Sequence, residues 1–310
     1  QGYIESRPAV NKEHVYIGTW GAMFYAIDRK TGKKVWEFDT KRGRYFSPGA
    51  CWPIVLPYTD QSKKAEQVIV LSSDYFIRAF QPDNGEILWA SDKAKGRESL
   101  GFSPDGKTLY FCSAQAKEIP KDFKSVKYSL CSISFDPETR RFGHQVDTLY
   151  SSEQATVRIT GAEHKSASFP RVSPDGKQLV FTLSEYGNFS IWHKDADLYR
   201  IDLDSGVMHR MDEVNSDDVE SYHSWSSNSR WLVFSSRRID GLYTRPYLVH
   251  IDENGKTGKP FVLPQEDPDF YSRFMFSYNI PEFVKGKVEA EVHTIADTAR
   301  KPGNRIRMGE

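Results

Sequence analysis

The sequence predicts an all-β protein, a β-propeller of four-stranded antiparallel blades, because one short pattern recurs along the chain. Residues 169–184 and 222–237 each begin with an aromatic residue, pass through a Ser-Pro-Asp-Gly or Ser-Ser-Asn-Ser turn and end in an apolar, β-rich strand. A fainter copy covers residues 100–112. Repeated strand–turn–strand units are typical of propeller blades, and a 14% aromatic content suits the packing between blades.

Length and composition fit this fold and limit the classes of function. A chain of 310 residues is long enough for one all-β domain, to which we assign residues 1–310. The 42 basic and 42 acidic residues balance, so charge gives no argument for a nucleic-acid partner or an anionic membrane surface. No apolar run approaches the roughly 18 residues that would span a bilayer.

The three cysteines are too few and too irregularly spaced for a disulfide framework or a zinc site. We expect Cys51, Cys112 and Cys131 to be buried free thiols. A bridge between Cys112 and Cys131, on neighbouring predicted strands, stays open as the alternative.

The first two blades are predicted from alternating apolar runs and the turns between them. The first blade has four predicted strands, at residues 3–10, 14–20, 24–28 and 34–39, with Thr31 and Gly32 in its last turn. The second blade, within residues 44–92, has three, at residues 68–72, 76–80 and 87–89. A polar stretch at residues 58–66 is predicted as a surface loop.

Three further blades follow from about Gly96, and the end of the chain is harder to assign. The third runs to about Tyr150, the fourth over residues 166–211 and the fifth over residues 220–263. One more inner strand is predicted at residues 271–276, and residues 285–310 form a tail that can complete a last blade. We predict six blades, because a propeller ring closes to avoid a long exposed sheet edge.

The first part of the chain resembles a known repeat family. Residues 26–36 match the mark of the quinoprotein (PQQ-like, BamB-like) propeller repeat, Ala-x-Asp-x-x-Thr-Gly-x-x-x-Trp, and residues 79–89 match it less well. The resemblance covers residues 1–92 and implies that Trp36 docks against the next blade. We expect no bound quinone and no other cofactor, because the vicinal cysteines of the quinoprotein dehydrogenases are missing.

The second part has a different resemblance. Residues 96–284, with the Ser-Pro-Asp-Gly copies, resemble TolB-like, WD40-like (PD40) propellers of Bacteroidetes type. This implies a protein of the bacterial envelope, periplasmic or at the cell surface, with a signal or anchor removed from this chain. The change of repeat type near residue 96 leaves open a natural hybrid or an engineered chimera.

Two polar clusters are candidate sites. Residues 192–197, which include Trp192, His193, Asp195 and Asp197, lie between the second and third strands of the fourth blade. Imidazole and carboxylate groups bind divalent metals and act as acid–base pairs, but a solvated loop is the plainer interpretation. A metal site there is a weak candidate only.

The second cluster occupies the equivalent connection of the fifth blade. It contains Arg237, Arg238, Tyr243 and Arg245. Arginine suits anionic ligands because its planar fork donates two parallel hydrogen bonds, whereas surface ion pairs would be the plainer explanation.

Corresponding connections of successive blades project from one face, so both clusters are predicted to share a rim. Five further residues are predicted to begin inner strands and to approach the channel mouth from the same end: Glu98, Arg171, Tyr222, His223 and Arg273. No Gly-x-Ser-x-Gly or His-Glu-x-x-His pattern occurs, so common hydrolase motifs are missing from the sequence.

These observations favour a non-enzymatic, monomeric binding or scaffold protein whose rim or channel meets a protein, peptide or glycan partner. The first alternative is a metal-assisted polysaccharide lyase or hydrolase that works through His193, Asp195, Asp197 and His223. The second is a recombined or engineered propeller scaffold that retains no ligand.

Overall fold

The computed structural model describes residues 8–19, 23–40, 53–56, 67–71, 76–91, 96–114, 121, 123–153, 162–187, 189–278, 280–286, 291 and 293. These residues form five four-stranded antiparallel sheets arranged as a propeller, and in each sheet the strands follow one another in chain order. The predicted all-β propeller class is therefore confirmed.

The described strands of the first two sheets lie at the predicted positions, whereas residues 3–7 of the first predicted strand and the predicted loop at residues 58–66 lie outside the described residues. The first sheet contains β1 Ala9–Val10, β2 His14–Gly18, β3 Met23–Asp28 and β4 Lys34–Asp39. The second contains β5 Ile54–Leu56, β6 Gln67–Leu71, β7 Ile77–Phe80 and β8 Ile87–Ser91. β5 is not among the predicted strands, because its three residues show too little alternation to predict a strand from sequence.

The other three sheets contain the repeated pattern. The third comprises β9 Gly96–Phe102, β10 Thr108–Ser113, β11 Ser129–Asp136 and β12 Arg141–Tyr150. The fourth comprises β13 Ser166–Val172, β14 Gln178–Ser184, β15 Asp197–Asp202 and β16 Met208–Arg210. The fifth comprises β17 Glu220–Trp225, β18 Trp231–Ser236, β19 Arg245–His250 and β20 Phe261–Val262.

The repeated turns are built by the same hydrogen bonds. In the fourth sheet, Ser173 Oγ donates to Asp175 Oδ1 at 2.5 Å and accepts from the Gln178 amide at 3.0 Å. In the fifth, Ser226 Oγ donates to Asn228 Oδ1 at 2.6 Å and accepts from the Trp231 amide at 2.9 Å. A serine followed two residues later by Asp or Asn therefore fixes the hairpin that joins the first two strands.

The hydrophobic core lies in the seams between consecutive sheets. Each of the four main clusters of buried side chains draws residues from two neighbouring sheets. At the first seam Trp36 stacks on Phe80 with ring centroids 5.5 Å apart, and its Nε1 donates to the Pro82 carbonyl at 2.7 Å. Gly85 leaves room for it, since a Cβ there would lie 2.6 Å from the Trp36 ring. Docking of Trp36 on the next blade is thereby confirmed.

The cysteine prediction holds for the two residues that are described. Cys112 and Cys131 are buried free thiols. Cys112 pairs with Leu130 across β10 and β11, one position away from Cys131, so the two side chains point to opposite faces of the sheet. The Cys112–Cys131 bridge is therefore ruled out, and Cys51 lies outside the described residues.

The predicted inner strand at residues 271–276 is wrong. A short helix, α1 Phe270–Arg273, occupies this place, and residues 274–278 after it form no strand. Aromatic side chains favour this compact turn, because Phe270 and Phe274 stack with centroids 4.9 Å apart. A sixth sheet is not seen among the described residues, and most of residues 288–295 lie outside them.

Among the residues that the structure describes, no helix is long and apolar enough to cross a membrane.

Candidate functional site

The two connections singled out in the sequence leave the fourth and fifth sheets at the same end. In the fourth sheet, Ser184 at the end of β14 pairs with Ser166 at the start of β13. In the fifth, Ser236 at the end of β18 pairs with Glu220 at the start of β17. Both connections therefore start beside the first residue of an inner strand, as the propeller register predicts.

A direct contact joins these connections. Trp192 closes a single 3-10 turn, Ser190–Trp192, and its side chain is 64% exposed. The Arg237 guanidinium carbon lies 5.1 Å from the centroid of the Trp192 ring, within the range of a cation–π contact. Arg237 Nη2 also donates to the Gly241 carbonyl, which orients the guanidinium toward the tryptophan.

Exposed apolar side chains lie on the same two connections as this contact. Leu242 is 63% exposed, and Phe189 and Ile239 are each exposed on the same two connections. Asp240 holds the loop near Leu242 in shape, since its Oδ1 accepts from the amides of Leu242 and Tyr243 at 2.8 Å. We define the rim patch as five residues: Phe189, Trp192, Arg237, Ile239 and Leu242.

The polar residues of the fourth-sheet connection do not converge on one point. The His193 ring packs on Tyr186 with centroids 4.1 Å apart. Asp195 accepts from Lys165 Nζ at 3.1 Å, whereas Asp197 accepts from Arg210 Nε and Nη2 at 3.1 and 2.9 Å. Burial raises the pKa of the Asp197 carboxyl, and the Arg210 guanidinium opposes that rise.

This separation bears on the weak metal candidate. Metal sites need several ligand atoms near 2 Å from one centre. Within the described part of the chain, no three His, Cys, Asp or Glu residues are close enough to hold an ion. Asp195 and Asp197 instead make ion pairs with different cations.

Arg238 turns inward and forms a buried ion pair. Its Nη2 lies 2.9 Å from Glu220 Oε1, and Glu220 is fully buried. The same carboxylate accepts from Ser216 Oγ and Ser236 Oγ, each at 2.7 Å. The Arg238 guanidinium carbon also lies 4.6 Å from the Tyr247 ring centroid. Burial raises the Glu220 pKa and Arg238 opposes this, so the pair is a structural element of the fifth sheet.

Arg245 is even more deeply buried, with 1% of its surface exposed. Nη1 donates to the Phe276 carbonyl at 2.5 Å, and Nη2 donates to the carbonyls of Phe274 at 2.6 Å and Tyr271 at 3.3 Å. Asp240 Oδ2 lies 3.6 Å from the guanidinium. Arg245 therefore fastens the segment around α1 to the fifth sheet, where helix-end carbonyls need donors.

Tyr222 and His223 lie inside β17 rather than at its start. Tyr222 has φ +50° and Phe169, its counterpart in the fourth sheet, has φ +55°, while their rings meet at 5.1 Å. Both residues sit where the strand register shifts, which explains the unusual backbone. The aromatic residues that open the two repeats thus occupy equivalent bulges in neighbouring sheets.

His223 is fully buried, and its Nε2 donates to the Val180 carbonyl at 3.0 Å. Burial lowers its pKa to about 3, and the nearby Arg171 guanidinium adds to this. His223 is thus a neutral residue of the seam between the fourth and fifth sheets.

Three other predicted residues lie away from the rim patch. Arg171 pairs with Val180 near the far end of β13, so its predicted place at the start of an inner strand is wrong. Arg273 belongs to α1 and pairs with Asp267, which corrects its predicted strand position. Glu98 is the third residue of β9, paired with Cys112, and its side chain lies outside the described part of the structure.

Sequence reasoning missed the apolar members of the rim patch. Phe189, Ile239 and Leu242 stand in otherwise polar connections, where the predicted site contained charged residues with Trp192 and Tyr243 but no aliphatic residue. Apolar residues inside a loop that is otherwise polar were the signal available.

Comparison with known proteins agrees with the fold. A family model described as outer membrane protein assembly factor BamB matches residues 2–117, which extends past residue 96 into the third sheet. The 1-butanol dehydrogenase (quinone) of Thauera butanivorans is 32% identical over 98 residues, 28% of this chain and 15% of that protein. A structure of hydrazine synthase from Kuenenia stuttgartiensis aligns with a TM-score of 0.51 and 14% identity, over 84% of this chain and 66% of that one.

These comparisons support the class, a quinoprotein-like β-propeller with PQQ-like repeats in its first part. The chain spans less than two thirds of both the dehydrogenase and the hydrazine synthase chain. The likeness to hydrazine synthase shows the fold alone.

Proposed function

We propose that the rim patch binds an extended apolar segment of a protein partner, and that the propeller acts as a binding module without its own catalytic centre. The observation that carries this proposal is Trp192, 64% exposed and held by Arg237 at 5.1 Å. Tryptophan and arginine are the residues most often found at the energetic centre of protein interfaces.

The chemistry of the patch favours a protein over a glycan. Ile239 and Leu242 are aliphatic and exposed on the connection that carries Arg237, and their side chains have no hydrogen-bonding group. Sugars are bound through stacking combined with polar contacts, whereas aliphatic side chains of a partner gain from burying such a surface. Met275 and Phe276 are also exposed, on the segment that Arg245 fastens to the fifth sheet.

The location that we propose is the bacterial envelope, in the periplasm or at the cell surface. Its support is the match of residues 2–117 to a family described as an outer membrane assembly factor. The TolB-like resemblance of residues 96–284 is part of the same proposal.

The proposal can be tested with a displayed library of linear peptides selected on the purified chain, followed by titration of the enriched peptides. We expect apolar peptides that lose at least tenfold in affinity for Trp192→Ala and for Leu242→Ser, since loss of an interface centre costs about 2 kcal/mol. Val207→Ser is the matched control, because Val207 is also exposed but lies on the outer hairpin of the fourth sheet.

Peptides that bind Trp192→Ala and Leu242→Ser as tightly as the original chain would contradict the proposal. So would peptides that Val207→Ser weakens equally. A selection that enriches nothing would favour the alternative of a scaffold without a preserved ligand.

An enzyme remains the second candidate, favoured by the partial similarity to a quinone-dependent 1-butanol dehydrogenase. In the metal-assisted form of that alternative, His193, Asp195, Asp197 and His223 would have to meet. They are instead engaged with Tyr186, Lys165, Arg210 and the Val180 carbonyl respectively.

A further inference from the structure

Arg237 stands on the rim without an acidic partner, unlike the other two arginines of the fifth-sheet connection. Arg238 Nη2 lies 2.9 Å from Glu220 Oε1. Arg245 Nη2 lies 3.6 Å from Asp240 Oδ2. Arg237 makes no ion pair with any residue that the structure describes. Its positive charge is therefore not neutralised by direct contact within the described chain.

Two carboxylates lie close to this loop, and both bond to other groups. Asp240 Oδ1 accepts from two backbone amides of its own loop at 2.8 Å, and its Oδ2 faces Arg245. Asp218 lies beside Gly241, with its Oδ2 3.4 Å from the position that a Cβ would take there, and its Oδ1 accepts from a backbone amide at 2.8 Å. Neither carboxylate is within ion-pair distance of Arg237.

The Arg237 guanidinium is held in place and still has donors to offer. Its Nη2 donates to the Gly241 carbonyl, and its carbon lies 5.1 Å from the Trp192 ring centroid. Nη1 makes no hydrogen bond with the described residues, and Nη2 has a second hydrogen. These two nitrogens form one end of the planar fork that suits a carboxylate.

A partner that covers Trp192 also covers part of this guanidinium, because the two groups are in contact. Taking a charge out of water without a partner costs free energy. A wholly apolar segment would therefore leave Arg237 unpaired in the interface, whereas a segment with a carboxylate at that point would pair it. The loss of water also strengthens such a pair.

We propose that the segment bound at the rim patch carries a carboxylate next to an apolar residue, and that Arg237 receives the carboxylate while Trp192 contacts the apolar side chain. This inference rests on the proposed function and narrows its partner to segments that are both acidic and apolar. An acidic side chain and the carboxyl terminus of a chain offer the same two oxygens. The recognised chemistry is therefore the carboxylate, and the experiment separates its two sources.

The test begins with a displayed peptide library that has apolar flanks and one fixed position, which is Glu, Gln or Lys in equal shares. We expect selection on the purified chain to enrich Glu peptides about tenfold over Gln peptides, since hydrogen bonds between charged groups are the strong ones. Lys peptides should be depleted, because Arg237 repels a like charge.

Calorimetric titration of matched synthetic peptides then separates the two sources of the carboxylate. One pair has both ends blocked and differs only by Glu against Gln. The other pair has Gln at that position and differs only by a free against an amidated carboxyl terminus. A gain of about tenfold in either pair supports the proposal and identifies the source, whereas no gain in either pair would overturn it.

Arg237→Gln should remove the preference for the carboxylate, and Arg237→Lys should retain part of it, because lysine keeps the charge but lacks the fork. Lys194→Gln is the matched control and should leave the preference unchanged. Lys194 is exposed on the fourth-sheet connection and makes no ion pair with the described residues, so this variant also removes one positive charge from the rim. Thermal melting checks that each variant folds, and the titrations on the original chain need no variant.

A preference that survives in Arg237→Gln, or that Lys194→Gln removes equally, would show that Arg237 does not receive the carboxylate. If Glu and Gln peptides bind equally tightly and both still lose affinity in Trp192→Ala, the carboxylate proposal fails while the proposed function stands. A selection that enriches none of the three classes contradicts both.

Discussion

The equivalent connections of the fourth and fifth sheets use their charged residues in opposite ways. On the fourth, the partly exposed Asp195 and the buried Asp197 are each paired with a partly exposed cation from outside the connection, Lys165 and Arg210 respectively. On the fifth, Arg238 and Arg245 turn inward.

A cluster of charged residues in a propeller loop can therefore stabilise the fold rather than bind a ligand. Arg238 neutralises the buried Glu220, and Arg245 holds a segment that the sheets alone would not retain. What remains for a partner on this rim is the apolar surface around Trp192.

Arg245→Met should have the largest effect on stability. It removes donors from the carbonyls of Tyr271, Phe274 and Phe276 in a buried place, and we expect a loss of about 3–5 kcal/mol in the free energy of unfolding by urea. Protease cleavage near residues 270–278 should also become faster.

Lys165→Met is the matched control for that variant. Lys165 donates to Asp195, but this pair is partly exposed, so we expect a loss below about 1 kcal/mol. Equal losses in the free energy of unfolding for Arg245→Met and Lys165→Met would contradict the view that the charged residues of the two connections differ in their contribution to stability.

Arg238→Met should have the next largest effect, about 3 kcal/mol, because it leaves the Glu220 carboxylate buried without its cation. Adding Glu220→Gln should recover part of that loss, since the neutral amide costs less to bury. Urea unfolding of both single variants and the double variant measures the coupling. If the double variant loses the sum of the two single losses, Arg238 and Glu220 are not energetically coupled. The ion pair would then not explain the loss of stability in Arg238→Met.

The sequence was sufficient for most of the fold because the repeat and the apolar alternation are local properties. The Ser173 turn and the docking of Trp36 each follow from a few neighbouring residues. The α1 segment was predicted wrongly as a strand, since its conformation depends on Arg245, more than twenty residues earlier in the chain.

The site was less predictable for the same reason. The sequence gives no means of telling Arg237, Arg238 and Arg245 apart, because all three are arginines on one connection. Only the structure shows that Arg237 faces Trp192, that Arg238 pairs with Glu220, and that Arg245 donates to carbonyls in and after α1.

After Arg245→Met and Arg238→Met, the third stability prediction concerns His223 and has the smallest expected effect of the three. It tests the packing between the fourth and fifth sheets through the pH dependence of stability. Its folded pKa is about 3, below the ordinary value of 6.5, so the folded state stays neutral while the unfolded state takes up a proton. The contribution of His223 to the free energy of unfolding is therefore fully present above about pH 6.5, and it falls as the pH drops from 6.5 toward 3. At pH 5 the loss amounts to about 2 kcal/mol, since each pKa unit corresponds to about 1.4 kcal/mol.

His223→Gln should remove that part of the acid sensitivity, while its amide can still donate to the Val180 carbonyl. The measurement is the difference in the free energy of unfolding between pH 7.5 and pH 5, compared between the variant and the original chain. We expect it to shrink by about 2 kcal/mol in His223→Gln and to stay unchanged in His209→Gln, which alters an exposed histidine of the fourth sheet. An unchanged difference in His223→Gln would mean that His223 is not held neutral in the seam.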